Sequence, residues 1–83
     1  MDMAIGGIAL LRAPELRARL GIGHTTVFRW VRMGVIPPPI KLGPRRVAWV
    51  LSEIDQIISA RISGQSEEDI RGLVARLVAQ RGR

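Results

Sequence analysis

The stretch Gly23-His24-Thr25-Thr26-Val27-Phe28-Arg29-Trp30-Val31-Arg32, continued by Ile36-Pro37-Pro38-Pro39-Ile40-Lys41-Leu42-Gly43-Pro44-Arg45-Arg46, decides how this chain folds. At about 100° per residue, Val27, Trp30, Val31 and Gly34 cluster on one side of a helix running from about 24 to 33, with Thr25, Arg29 and Arg32 opposite. His24 and Phe28 flank the polar face on one edge, Thr26 and Met33 on the other. Gly23 is an acceptable N-cap and Gly34 closes the helix. Pro37, Pro38 and Pro39 cannot continue it and force an extended path. Ile40-Lys41-Leu42 and Val47-Ala48-Trp49-Val50 then read as two short strands around the turn Gly43-Pro44-Arg45-Arg46. The result is an amphipathic helix followed by a basic hairpin with the outline of a wing.

Working outward, Ile8-Ala9-Leu10-Leu11 reads as a short strand. Pro14 suits the first turn of a helix through Leu20, where no amide hydrogen is needed, and Gly21 ends that helix as a left-handed cap. Two short helices joined by a tight glycine turn make a helix-turn-helix. Ser52 with Asp55 three residues on resembles a capping box for a third helix, about Glu53 to Ile62, stopped by Gly64; Ser66 with Asp69 repeats the signature for a fourth, ending near Arg81. The expected fold is mainly α with a small β-hairpin: a winged helix-turn-helix over 1–64 and an amphipathic C-terminal helix over 65–83.

With 83 residues there is room for one small domain and no large catalytic cleft. The chain has no cysteine and one histidine, so a disulfide framework and a thiolate zinc site are excluded, and no metal or other cofactor is expected. Gly21-Ile22-Gly23-His24-Thr25-Thr26 superficially resembles a phosphate-binding loop, but it lacks a third glycine and a Gly-Lys-Ser/Thr ending. No orienting group is evident for a nucleophile paired with His24, so the protein reads as a non-enzyme with no small-molecule substrate. The apolar opening Met1 to Ile8 lacks a basic leader and a long apolar run, which points to neither a signal peptide nor a membrane span, and hence to the cytoplasm.

Charge is divided unevenly along the chain. Residues 1–50 carry eight basic side chains against two acidic ones, whereas residues 51–83 carry five of each. The whole net charge of +6 therefore lies with the helix and hairpin, which favours a polyanionic partner; a solvated basic surface is the other reading. Thr25 and Arg29 have the chemistry for reading bases in a major groove, since Arg bonds guanine O6 and N7 together and Thr bonds a base edge or touches a thymine methyl. His24, Thr26, Phe28 and Arg32 complete that candidate face. Arg45 and Arg46 at the hairpin tip suit the narrow minor groove or flanking phosphates, with Lys41 placed for a phosphate contact. Arg17 and Arg19 on the first helix are further phosphate candidates.

The motif Thr26-Val27-x-Arg29-Trp30-Val31-Arg32, with Ile36, Lys41 and Gly43 after it, resembles the winged-helix excisionases of temperate phages. The run from Leu10-Leu11-Arg12-x-Pro14-Glu15-Leu16 through Gly43-Pro44-Arg45 to Trp49-x-x-Ser52-Glu53-Ile54 is similar to AlpA-type regulators of prophage excision. The resemblance covers roughly residues 8–62. It implies a MerR-like winged helix-turn-helix that binds and bends double-stranded DNA and favours excision by a partner integrase, a tyrosine or serine recombinase. It further implies that Thr25 and Arg29 meet bases, that Arg45 or Arg46 enters the minor groove, and that copies assemble side by side on DNA. Gly23 stands where these proteins often carry a Ser cap, Pro44 stiffens the tip, and the last 20 or so residues have no counterpart.

That tail has its own pattern. Ile70, Leu73, Val74, Leu77 and Val78 form one apolar stripe, and Glu67, Glu68 and Asp69 at the start complement the helix dipole, as does Arg81 at the end. Periodicity leaves two readings open: packing on its own domain, or self-association or docking on another protein. Two functional alternatives to an excisionase also stand: a transcription regulator without a direct excision role, and a protein-interaction adaptor.

Overall fold

Leu11, Leu16, Val27, Ile36, Trp49, Ile54 and Ile70 come from separate segments of the chain and meet in one core, each no more than 1% exposed. The computed structural model describes residues 3–5 and 8–82, with side chains from Ile8 onward. Met1, Asp2, Gly6, Gly7 and Arg83 lie outside the described residues, and with them most of the apolar opening considered above.

The elements follow in the order β1 (Met3–Ile5), β2 (Ile8–Leu11), α1 (Ala13–Leu20), α2 (His24–Met33), β3 (Ile40–Gly43), β4 (Arg46–Val50), α3 (Leu51–Ile62) and α4 (Glu67–Ala79). The fold is thus mainly helical with a small antiparallel sheet, as expected. The strands lie in the order β1-β2-β4-β3. β2 pairs with β4 through Leu10↔Val50 and Leu11↔Trp49, so the wing hairpin is anchored along one side. β1, which the sequence reading did not assign, pairs with β2 from Met3↔Leu10 to Ile5↔Ile8.

Local chemistry explains most boundaries. Gly21 and Gly34 take φ of 67° and 75°, left-handed values that let their amides bond back to the ends of α1 and α2. At the start of α1 the Arg12 amide donates to Glu15 Oε1 at 2.7 Å. The hairpin turns on Pro44 and Arg45. Proline cannot take the positive φ of a primed turn, and the register of the hairpin is irregular between Lys41 and Gly43.

Two expectations need correction. Ser52 and Asp55 do not cap α3: the helix begins at Leu51 with Val50 as its N-cap and no side-chain cap bond. Pairing with β2 keeps β4 extended as far as Val50, and the helix starts at once, so Ser52 is already in its first turn. The second concerns Arg81, read as a partner for the helix dipole. It lies beyond α4 and grips Glu53 on α3 through Nε and Nη2, with Nε at 2.9 Å from Oε2, while Nη2 also donates to Pro38 O at 2.9 Å. The Ser66 cap of α4 is present, its Oγ accepting from the Asp69 amide at 3.1 Å.

The α4 stripe packs at home. Ile70, Val74 and Leu77 are buried in the common core, and Leu73 and Val78 lie half-buried against it. The side chains nominated for self-association are therefore largely used within the chain. A division at residue 64 separates sequence patterns, but residues on both sides share one core.

Candidate nucleic-acid interface

The angular reading of α2 places its side chains well. Val27 is buried, Trp30 and Val31 are half-buried, and Thr25, Arg29 and Arg32 are exposed. Thr26 is half-buried and accepts a long hydrogen bond, 3.4 Å, from Arg29 Nη2, which folds the guanidinium back along the helix. A contact of that length is easily exchanged for a base edge or a phosphate. Gly23 supplies no side-chain cap, so the first amides of α2 keep their capacity to bond an anion.

His24 and Phe28 are exposed and meet edge to face, with centroids 5.1 Å apart. Phe28 in turn lies 6.3 Å from Trp49 of β4. This contact joins the outer edge of α2 to the strand that leads out of the wing tip. Arg46 is only three residues before Trp49, or roughly 10 Å along a strand. Helix and wing therefore adjoin on one side of the molecule.

Lys41, Arg45 and Arg46 are all exposed, as is Arg32, and among the described residues none of the four side chains has a hydrogen-bond or ion-pair partner. Four cations without side-chain partners among the described residues thus lie on two adjoining elements, and together they give this side of the molecule a positive potential. The two α1 candidates separate. Arg17 reaches across the helix-turn-helix to within 3.5 Å of His24 Nδ1 and so stands beside the start of α2. Arg19 instead pairs with Asp55 of α3 at 3.6 Å, which draws it away from that surface.

Three residues that sequence reasoning did not single out for this role hold the site in shape. The Trp49 indole N–H donates to Pro37 O at 3.0 Å within the core. Arg71 Nε donates to Met33 O, at the end of α2, at 2.9 Å. Arg81 donates to Pro38 O as described. No local pattern marks them, because their partners are 12, 38 and 43 residues away.

Elsewhere, Leu20, Trp30, Ile36, Ile57, Ile58 and Ile62 line a shallow groove of about 230 Å³, with the Arg61 guanidinium 5.7 Å above the Trp30 ring. Its lining offers no acid, base or nucleophile for catalysis. Among the described residues no cluster of His, Asp or Glu could hold a metal ion, and no helix is long and apolar enough to cross a membrane.

Residues 9–62 match the family described as prophage CP4-57 regulatory protein (AlpA). A curated relative, an uncharacterised protein named ORF88 from Enterobacteria phage P4, is 36% identical over 55 residues. The alignment covers 66% of this chain and 62% of the relative, so the chain spans less than two thirds of that protein. No solved structure matches. The family match takes in both helices of the helix-turn-helix, the wing and α3, and stops before α4.

Proposed function

The chain belongs to the AlpA family of prophage regulatory proteins, and on that premise we propose that it is a double-stranded DNA-binding excisionase. In this reading it binds and bends attachment-site DNA, copies of it assemble there, and an integrase then excises the prophage or integrative element. α2 lies in the major groove with Thr25 and Arg29 on base edges, flanked by His24, Thr26, Phe28 and Arg32. Lys41, Arg45 and Arg46 hold the neighbouring phosphates and probe the minor groove. Arg17 adds a phosphate contact beside the α2 amides.

The observation that carries the reading is the set of exposed cations at Arg32, Lys41, Arg45 and Arg46, without side-chain partners among the described residues, on a helix and a wing joined through Phe28 and Trp49. Arginine suits both tasks, because its fork bonds guanine or phosphate with two parallel hydrogen bonds. A mobility-shift assay with duplex DNA tests binding, and an excision assay with the cognate integrase tests the role. A protein that shifts DNA but leaves excision unchanged is the transcription regulator instead; the family's description as regulatory keeps that second reading in view. An adaptor role is deprived of its best support, since the α4 stripe is occupied within the chain.

A further inference from the structure

The connection from Gly34 to Pro39 links the two halves of the interface, α2 on one side and the hairpin on the other. Its three prolines have no N–H, so this segment is fastened mainly through its carbonyls and its buried side chains Val35, Ile36 and Pro37. Three carbonyls, one just before this path and two within it, accept bonds from side chains: Met33 O from Arg71, Pro37 O from Trp49, and Pro38 O from Arg81. Two of the three donors are arginines from α4 or just beyond it, outside the part of the chain that the family match covers. Arg81 is itself fixed by the nearly buried Glu53, and Arg71 lies within 3.9 Å of Glu67. Bonds from charged donors are stronger than neutral ones and fix direction as well as distance.

We propose that the C-terminal helix is a brace for DNA recognition, with Arg71 and Arg81 as positioning residues that set the angle and spacing between α2 and the wing. Arg71 pins the end of α2, and Arg81 pins the approach to β3. The step from a major groove to the adjacent minor groove is fixed by the duplex, so a protein held at that spacing before binding gives up less freedom on docking. The brace rests on the DNA-binding reading above and adds to it the element that couples the two contacts.

The test compares the full chain with Arg71→Ala, with the paired change Glu53→Leu and Arg81→Met, and with the triple variant. Replacing both members of a buried ion pair by apolar side chains of similar volume commonly preserves stability, which urea denaturation checks. The probe is a pool of duplexes of random sequence, about 30 base pairs long so as to span three turns, titrated over a range of salt, beside hydrogen exchange of the amides of Gly34, Val35, Ile36 and Ile40. The triple variant is expected to exchange those amides faster and to bind about tenfold more weakly. Its log K against log salt should have a smaller slope, because the wing neutralises fewer phosphates. Adding Arg45→Ala and Arg46→Ala should then cost little more, whereas in the parent the same change is costly. Arg71→Ala alone, at an exposed residue, should give about threefold weaker binding in the same direction, which carries the test if the triple variant does not fold. Unchanged slope and full additivity in a folded, unbraced variant overturn the brace while DNA binding stands. A parent that binds no duplex overturns the DNA-binding reading, and the brace with it.

Discussion

Removing the Arg81 side chain tests the packing of this small domain at its most polar point. Glu53 is 6% exposed, and its carboxylate is satisfied by two bonds from Arg81. Arg81→Ala deletes both, deletes the bond to Pro38 O, and leaves a buried charge with no partner among the described residues. Breaking a buried pair in this way costs about 3–5 kcal/mol, whereas a chain of this size at about 0.05–0.15 kcal/mol per residue has a total stability of about 4–12 kcal/mol. The variant should thus forfeit about a quarter or more of its stability. With a urea dependence of about 1 kcal/mol per molar, the midpoint of unfolding should fall by about 3 M or more, or the protein should be unfolded from the outset. Glu53→Gln keeps the shape and one neutral acceptor for the guanidinium, so it should cost less, about 1–2 kcal/mol. Urea titrations followed by circular dichroism measure both. A loss below about 1 kcal/mol for Arg81→Ala, or a larger loss for Glu53→Gln, would refute the view that the pair is desolvated and mutually required.

Arg29→Ala should weaken binding to a preferred duplex by about 1–3 kcal/mol and blur the preference at one base pair; selection from a random pool followed by mobility shift reads both, and an unchanged preference removes Arg29 from the reading face. Trp49→Phe keeps the aromatic bulk but leaves Pro37 O without its indole donor, at a cost of about 1–3 kcal/mol by thermal unfolding. Gly34→Ala should cost about 1–2 kcal/mol purely through its left-handed backbone, because the new Cβ would meet only Arg71 Cγ at an ordinary 3.8 Å; a variant as stable as the parent would show that the cap can be made otherwise.

Much of the fold was legible because local chemistry dictates it. The glycines at 21 and 34 ended helices where only a left-handed residue fits, and the period of α2 separated Val27 from Thr25 and Arg29. The hairpin followed from three prolines and the turn at Pro44. What escaped was tertiary. Ser52 was a good cap by sequence, but pairing of Val50 with Leu10 starts the helix at Leu51, too early for Ser52 to stand outside it. β1 was missed although Gly6-Gly7 between two apolar runs is a hairpin signal. Periodicity showed that α4 has an apolar stripe without saying what covers it. Phe28 was placed at the edge of the polar face, yet only the folded chain shows that this edge meets Trp49. Arg19 and Arg17 look alike in sequence, and only the position of Asp55 separates them.

The central claim, that α2 and the wing together grip duplex DNA, is tested most directly by salt-dependent fluorescence anisotropy on a labelled duplex with the parent and with Arg45→Ala and Arg46→Ala combined. The parent should bind with log K falling linearly in log salt, and the variant should bind more weakly, with a slope smaller by about 0.9 for each phosphate that is no longer neutralised. A parent that does not bind, or a variant with the parent's affinity and slope, would contradict it.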